Sequence, residues 1–593
     1  MEEPTAVAEV SEKTALRLHE HLERIYGPEV ATEVHPRFMK LMAEAADRCA
    51  RRPRRDRVVD ESDVLLITYG DHVQSSRRRP LESLREFIEK YLAGIVSGVH
   101  LLPHYPSSSD DGFAVADYNA VDSTLGTWRD VVRLGDAFDL MLDAVVNHTS
   151  ASNRWFTGWA RGEPAFDDFY ISLDPEAETD EVVRPRATPL LTPVETVRGL
   201  EWVWTTFSPD QVDLNYANPE VLLAISEVLF TYVENGAQAL RLDAVAFLWK
   251  RLGTGCIHLP ETHEIIRLWR TMLDEVVPGT LIVTETNVPH TENVTYFGSG
   301  DDEAHLVYQF PLAPLTLSAF HLADTSTLTD WLSGLPQPSP HNAFLNFLGG
   351  HDGIGLRPAE GLLTPGEITH LCDLVRAHGG GVSYRAKPDG SMTPYELNTV
   401  FFDALNPIDL EEPDEVRIAR FIAAHGILLA LAGVPLLYIN ALLGSNNWTQ
   451  GVHETGRLRS INRRKFDEEA LECELGDVTS LRRRVLDGLG RLVRVRRAEP
   501  AFHPAGTQRV LLAPQSVLAL ERLSPDRSRR VIALTNVSGR PRRVQVEGPG
   551  PDVALVDLLG SRKVRTDRDA LLDITLAPYG VSWLAAEGLQ PSV

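Results

Sequence analysis

Eight short apolar runs recur along the middle of this 593-residue chain, and a longer amphipathic stretch follows each of them. Apolar runs of this length are typical of strands buried on both faces, and the amphipathic connections between them are typical of helices. Eight such units in succession predict an α/β fold, the (β/α)8 or TIM barrel, in which parallel strands close into a cylinder inside a ring of helices. The runs lie at 63–69, 98–103, 140–148, 239–245, 280–286, 305–310, 343–352 and 434–439.

The rest of the chain divides around this barrel. Residues 1–60 show apolar positions at helical spacing and predict an N-terminal helical extension. The catalytic barrel is expected over 61–504, with inserted loop domains at about 150–210 and 356–415, where the strand–helix rhythm breaks. Alternating apolar and polar residues over 505–593 predict a C-terminal antiparallel β domain.

The charge balance argues against two classes of partner. Lys and Arg number 58 and Asp and Glu 83, a formal net charge of −25, which should repel nucleic acids and anionic membranes. The basic run at 51–57 is better interpreted as a solvated helix end than as a nucleic-acid patch. No apolar run is long enough to span a bilayer, and we therefore expect neither a nucleic acid nor a membrane as partner.

The four cysteines, at positions 49, 256, 372 and 473, show neither a CxxC pair nor the spacing of a zinc site. Such isolated cysteines suit a reducing compartment, and the acidic N-terminus lacks the apolar core of a signal peptide. We expect a cytoplasmic protein that is a monomer or a homodimer.

Polar and charged residues follow four of the predicted strands at the point where each ends. The carboxyl ends of barrel strands converge on one mouth, and carboxylates gathered there should differ in proton affinity. Retaining glycosyl transfer needs one ionised carboxylate as nucleophile and one protonated carboxyl as acid, about 5 Å apart. Taken singly, these residues could be helix caps, ion pairs or core histidines, but four coincidences at the same end are improbable. They are Asn147, His148, Arg241, Asp243, Glu285, His351 and Asp352.

Four segments at these strand ends resemble the signature regions of the α-amylase family (glycoside hydrolase family 13). They are DAVVNH (143–148), ALRLDAV (239–245), VTET (283–286) and LGGHD (348–352). The resemblance implies that Asp243 is the nucleophile, Glu285 the general acid/base and Asp352 the transition-state stabiliser. It further implies that Arg241 orients Asp243 and that His148 and His351 hydrogen-bond the glucose ring.

Further segments are similar to the sucrose phosphorylase branch of that family, namely 101–118, HDGIG and RSINR. The similarity implies that Asp110 holds the far hydroxyls of glucose and that Phe113 supplies an apolar platform for the ring. Arg459 would bind the sugar near its 4-hydroxyl or the phosphate, and Arg186 would bind phosphate from a loop. No metal or cofactor is implied, and inorganic phosphate is a co-substrate.

Within that branch the chain looks most like the glucosylglycerate phosphorylases, in its N-terminal extension and in the segments 253–259 and 285–290. Those enzymes reversibly convert 2-O-α-D-glucosyl-glycerate and phosphate to α-glucose 1-phosphate and D-glycerate. Phosphorylases of glucosylglycerol, sucrose or sucrose 6-phosphate are the nearest alternatives. A hydrolase or transglucosylase of the same family is the next.

The acceptor side departs from sucrose phosphorylases. Asn287, Phe247 and Glu396 stand where those enzymes carry His, Tyr and Gln, which argues against fructose as the acceptor. A carboxylate at position 396 beside the acceptor would favour neutral glycerol over the glycerate anion. The stretch 379–398, with Tyr395, is the segment expected to exchange acceptor groups for phosphate groups between the half-reactions.

Overall fold

The computed structural model describes residues 10–50, 52, 57–186, 188–336, 339–386, 391–407, 411–560 and 562–586. Eight parallel strands form a closed barrel in which each strand pairs with the next along the chain and the last pairs with the first. The predicted (β/α)8 barrel is therefore confirmed, and each predicted apolar run overlaps one of its strands. They are β1 (Leu65–Thr68), β2 (Gly98–Leu101), β3 (Asp139–Val145), β4 (Ala237–Asp243), β5 (Leu281–Thr284), β6 (Leu306–Tyr308), β7 (Ala343–Asn346) and β8 (Val434–Tyr438).

Burial on both faces explains why these runs lack the polar alternation of an exposed sheet. Every residue of β1, β2, β5, β6, β7 and β8 is buried. Helices cover the outer face of the strands. The longer ones after the first strand are Pro80–Phe87, Trp128–Gly135, Pro219–Glu234, Pro260–Val276, Leu312–Leu322, Ser326–Ser333, Pro365–Ala377, Asp414–Ala430, Glu468–Gly476 and Leu481–Arg497.

Two helices, α1 (Glu12–Tyr26) and α2 (Pro28–Cys49), form the N-terminal segment and pack on the barrel helix Pro260–Val276. Glu275 of that helix accepts hydrogen bonds from Ser11 N at 2.7 Å and from Thr14 Oγ1 at 2.6 Å. These contacts fix the start of α1, whose apolar face is buried. Most of the basic run at 51–57 lies outside the described residues.

The two stretches in which the rhythm breaks contain their own small elements. The first holds the helix Arg154–Ala160 and an antiparallel sheet that includes Leu191–Thr196 and Gly199–Trp204. The second holds a hairpin formed by Gly381–Ala386 and Met392–Asn398, with its tip outside the described residues. Both stretches contribute residues to the mouth of the barrel. The exact domain boundaries stay a prediction.

Antiparallel strands follow the last barrel helix, as predicted for the C-terminal β domain. The larger sheet has the strand order Thr507–Val510, Val517–Leu523, Arg530–Asn536, Val581–Ala586, Ala554–Asp557 and Lys563–Arg565, and Arg542–Glu547 pairs with Leu571–Leu576. Among the described residues, no helix is long and apolar enough to cross a membrane. The strands are β9 (Thr507–Val510), β10 (Val517–Leu523), β11 (Arg530–Asn536), β12 (Arg542–Glu547), β13 (Ala554–Asp557), β14 (Lys563–Arg565), β15 (Leu571–Leu576) and β16 (Val581–Ala586).

Candidate active site

A cavity of about 710 Å³, measured with its open mouth, lies at the carboxyl ends of the barrel strands. Asp243 is the last residue of β4, and Glu285 directly follows β5. Asp352 lies in the loop after β7, and convergence of the strand ends brings the three carboxylates to one cavity. The predicted site residues that line it are Asp110, Phe113, His148, Arg186, Asp243, Glu285, Asn287, Asp352, Tyr395 and Arg459.

Asp243 is held in place by a buried arginine. Arg241 Nη1 donates to Asp243 Oδ1 at 2.8 Å and also to Asp143, which in turn accepts from His100 Nε2 at 2.8 Å. Burial raises the pKa of Asp243, and the adjacent guanidinium opposes that rise. Ala244 has φ 54°, so the chain turns sharply immediately after Asp243 and leaves its carboxylate at the cavity wall.

Glu285 has the proton affinity expected of a general acid. Burial raises its pKa to about 7, and the neighbouring charges of Asp243 and Asp352 contribute to the rise. The charge of Arg241 opposes the rise, but Arg241 Nη2 lies 3.9 Å from Glu285 Oε2, too far for a hydrogen bond. Two carboxyl groups in one cavity therefore experience different environments, which suits a nucleophile and an acid.

Asp352 is surrounded by cations. Arg459 Nη1 lies 2.6 Å from its carboxylate and Arg463 Nη2 lies 3.4 Å away. Although burial opposes ionisation, Arg459 and its neighbours hold the pKa of Asp352 well below its ordinary value. An anion fixed in this way can accept hydrogen bonds from sugar hydroxyls and stabilise positive charge that develops on the ring.

Asp110 and Phe113 lie on a short turn over the cavity. Asp110 and Asp111 both have φ near 50°, a left-handed conformation that aspartate tolerates better than most residues. Although burial opposes ionisation, Arg459 and Arg463 lower the pKa of Asp110. The ring of Phe113 stacks on His351 with centroids 5.2 Å apart, which makes an apolar wall for a pyranose ring.

Three predicted site residues do not line the cavity. Arg241 contacts the cavity-lining Asp243 and His351 stacks on the cavity-lining Phe113, but neither is itself among the lining residues. Glu396 is turned away from the expected acceptor side because Tyr395, its neighbour on the strand Met392–Asn398, faces the cavity and side chains alternate along a strand.

The carboxylate of Glu396 instead accepts from Arg459 Nε at 3.1 Å and from Nη2 at 2.6 Å. It is therefore ion-paired inside the protein and only 1% exposed. The expectation that its charge would select a neutral acceptor is not supported by this geometry.

Arg186 lies on the cavity wall with its guanidinium 5.9 Å from the centre of the Tyr395 ring. Among the described residues, no carboxylate lies within ion-pair distance of it, so its charge is open to an anion that enters. The following residue, at position 187, lies outside the described part of the chain.

Sequence reasoning missed several residues of the site. Gln211 Nε2 lies 3.1 Å from His148 Nε2 and 3.3 Å from Asp110 Oδ2, and thus joins two predicted sugar ligands. Nothing in its sequence context indicates this role, because it comes from the irregular insertion. Arg357 also lines the cavity, and its position two residues after the HDGIG motif could have suggested it.

No group of three or more His, Cys, Asp or Glu in the described ranges is arranged to hold a metal ion. The acidic segment at 298–305 forms a capped loop, in which Asp302 accepts from Ser299 N at 2.7 Å.

Comparison with known proteins places the chain in a family. Residues 84–353 match the family described as "Alpha amylase, catalytic domain". The chain is 47% identical over 88% of its length to 93% of a glucosylglycerate phosphorylase from Allomeiothermus silvanus. It is 44% identical over 96% of its length to 99% of the glucosylglycerate phosphorylase of Escherichia coli K12.

A solved structure, that of sucrose 6F-phosphate phosphorylase from Thermoanaerobacter thermosaccharolyticum, superposes with a TM-score of 0.71. The superposition covers 85% of this chain and 98% of the phosphorylase chain at 24% sequence identity, and it supports the assignment of the fold. The chain belongs to the α-amylase family, in the branch that contains the glucosylglycerate phosphorylases.

Proposed function

We propose that this protein is a retaining phosphorylase that reversibly converts 2-O-α-D-glucosyl-D-glycerate and phosphate to α-D-glucose 1-phosphate and D-glycerate. One observation carries the proposal: Asp243, Glu285 and Asp352 share a cavity with arginines, in a chain 44 to 47% identical to glucosylglycerate phosphorylases. The carboxylates supply glucosyl transfer, and the arginines supply sites for two anions, phosphate and glycerate.

In the first half-reaction, Asp243 attacks the anomeric carbon while the bond from that carbon to the glycerate oxygen breaks. Glu285 donates its proton to the departing oxygen, which leaves as the hydroxyl of D-glycerate. The product is a β-glucosyl ester of Asp243 and an ionised Glu285. Asp352 and Asp110 line the same cavity, and in this proposal they accept hydrogen bonds from the ring hydroxyls.

In the second half-reaction, a phosphate oxygen attacks the same carbon and Asp243 leaves as a carboxylate. Glu285 accepts the proton of the attacking phosphate, which restores the starting protonation state. Two inversions at one carbon retain the α configuration. A dianion that enters a cavity lined with carboxylates needs a nearby cation, and Arg186 is the candidate.

Arg186→Ala should lower kcat/KM for phosphate by about 10- to 100-fold, the effect of losing a charge-assisted hydrogen bond. The rate of glucosyl-enzyme formation from α-glucosyl fluoride should change little, because that half-reaction involves no phosphate. Stopped-flow or quench measurement of the two half-reactions checks this. Arg198→Ala is the matched control, since Arg198 lies in the same insertion and stacks on Trp159. An equal loss in both half-reactions would contradict the phosphate role.

The pH dependence should reflect Glu285, whose pKa is about 7. Above that pH Glu285 has lost the proton it must donate, so kcat/KM for glucosylglycerate should fall about tenfold per pH unit. Fluoride leaves without protonation, so kcat/KM for α-glucosyl fluoride should lack this basic limb. Steady-state rates from pH 5 to 9 with both donors test the assignment. The same basic limb for both donors would count against it.

An acceptor panel tests the proposed substrate. The protein is incubated with α-glucose 1-phosphate and, separately, with D-glycerate, glycerol, fructose or fructose 6-phosphate, and released phosphate is measured. D-glycerate should give the highest kcat/KM. Faster release with one of the other three would assign the protein to the phosphorylase of glucosylglycerol, sucrose or sucrose 6-phosphate instead.

The reaction as proposed needs no metal or cofactor, because the carboxyl groups supply both nucleophile and acid, and phosphate is a co-substrate. Activity should therefore survive exhaustive treatment with EDTA. The unpaired state of all four cysteines supports a cytoplasmic location. Light scattering distinguishes between the monomer and the homodimer, the two oligomeric states expected.

A further inference from the structure

Arg357 lines the same cavity as Glu285, the group that protonates the leaving oxygen. Leu356 N donates to Tyr395 O at 2.9 Å, which holds the chain before Arg357 against the cavity-facing tyrosine. Gly355 lies two residues before Arg357. A Cβ on Gly355 would come within 2.8 Å of Asn287 Oδ1, so the backbone of Gly355 packs directly on the Asn287 side chain. Asn287 follows Glu285 by two residues. The side chains that line the common cavity are those of Glu285, Asn287, Arg357 and Tyr395.

The guanidinium of Arg357 is short of negative charge. Its side chain is 12% exposed, and its one ion pair among the described residues is with Glu292 Oε2, at 3.7 Å. Glu292 also lies 3.1 Å from His258 Nε2, and the described residues offer the Arg357 guanidinium no hydrogen-bond acceptor. Burial and the neighbouring Arg385 lower the pKa of Arg357, so they disfavour its charged form. An anion bound beside the guanidinium would offset this effect.

The other two cavity arginines have other partners or another role. Arg459 is saturated by Asp352, at 2.6 Å, and by Glu396, at 2.6 Å. Arg186 lies near Tyr395 and also lacks a carboxylate partner among the described residues, but it is assigned above to phosphate. Arg357 is therefore the open cavity arginine that phosphate does not occupy, and its loop packs on Asn287, two residues from the acid/base.

We infer that Arg357 binds the carboxylate of the acceptor and thereby selects a 2-hydroxy acid over a neutral polyol, an inference that rests on the proposed function. In glucosylglycerate, the carbon that carries the glycosidic oxygen also carries the carboxylate, so the anion lies close to the atom that Glu285 protonates. Without a cation there, it would be repelled by Glu285 and Asp243. A guanidinium fork matches the two carboxylate oxygens.

A comparison of D-glycerate with D-glyceramide tests this, because the amide has nearly the same shape and no charge. Synthesis rates with saturating α-glucose 1-phosphate give kcat/KM for each acceptor. The unaltered protein should prefer D-glycerate by at least about 100-fold, the lower end of the value of two charge-assisted hydrogen bonds. Arg357→Met should reduce the preference to within a few fold while D-glyceramide use changes by less than about threefold. Arg357→Lys should retain an intermediate preference.

Arg385→Met is the matched control, since it removes a neighbouring charge that is paired with Glu360 at 3.0 Å and does not line the cavity. Its preference should stay close to that of the unaltered protein. Arg357→Met with an undiminished preference, or with equal losses for both acceptors, would overturn the inference. If Arg357→Met does not fold, two other results would overturn the inference. One is an undiminished preference for D-glycerate over D-glyceramide in Arg357→Lys, and the other is the absence of that preference in the unaltered protein. Failure of the unaltered protein to use D-glycerate at all would instead refute the proposed function.

Discussion

Asp243→Asn should lower kcat for phosphorolysis by at least about 10⁴-fold, because an amide cannot form the glucosyl ester on which both half-reactions depend. Activity is measured as phosphate-dependent release of D-glycerate. Mass spectrometry should detect a hexosyl adduct on the peptide that contains residue 243 in the unaltered protein supplied with α-glucosyl fluoride. The adduct should be absent from the variant.

The same substitution should not lower the melting temperature. Since burial raises the pKa of Asp243, the ionised carboxylate is disfavoured in the folded state, and its contribution to stability falls as pH rises. A neutral amide removes that cost, while Arg241 keeps Asp143 as partner. Asp573→Asn, an exposed change at an ion pair with Arg543, is the control for both measurements. Near-normal activity of Asp243→Asn would exclude the residue as nucleophile.

Glu285→Gln should lower kcat/KM for glucosylglycerate by about 10² to 10⁴-fold, the usual contribution of a positioned general acid. Glucosylation by α-glucosyl fluoride should lose far less, because fluoride departs without a proton. The glucosyl-enzyme should then accumulate if attack by phosphate depends on Glu285 as base. Comparison of single-turnover rates for the two donors measures the effect.

The control for that pair of measurements is Glu472→Gln, which alters a surface ion pair with Lys90. Equal losses for both donors in Glu285→Gln would show that the residue has a structural role and not an acid role.

The barrel could be predicted because its strands are buried on both faces and therefore appear as unbroken apolar runs. The carboxylates at their ends followed from the same reasoning, since parallel strands deliver their last residues to one mouth. Asp243 and Glu285 occupy the positions that this rule gives them, at the end of β4 and directly after β5.

The residues contributed by the insertions could not be assigned in the same way. The hairpin that carries Tyr395 and Glu396 shifts register between Ser383 and Tyr384, so the face on which each side chain lies depends on pairing that the sequence does not encode locally. Glu396 was therefore expected at the acceptor and is instead paired with Arg459. Gln211 reaches the cavity only because its short strand pairs with residues 148–150 after β3.

That reassignment also changes the expected acceptor. With Glu396 paired to Arg459 and Arg186 assigned to phosphate, the cavity arginine left for the acceptor is Arg357, which favours an anion over glycerol. The similarity to glucosylglycerate phosphorylases points to the same acceptor from an independent direction. The choice between glycerate and glycerol therefore rests on Arg357 and on that similarity, and not on the carboxylate that first suggested a neutral acceptor.

The most direct measurement is an NMR time course of 2-O-α-D-glucosyl-D-glycerate with the purified protein, with and without inorganic phosphate. With phosphate, α-D-glucose 1-phosphate and D-glycerate should appear in equal amounts, and without it the substrate should persist. Free glucose released at the same rate in both samples, or a β-configured sugar phosphate, would contradict a retaining phosphorylase.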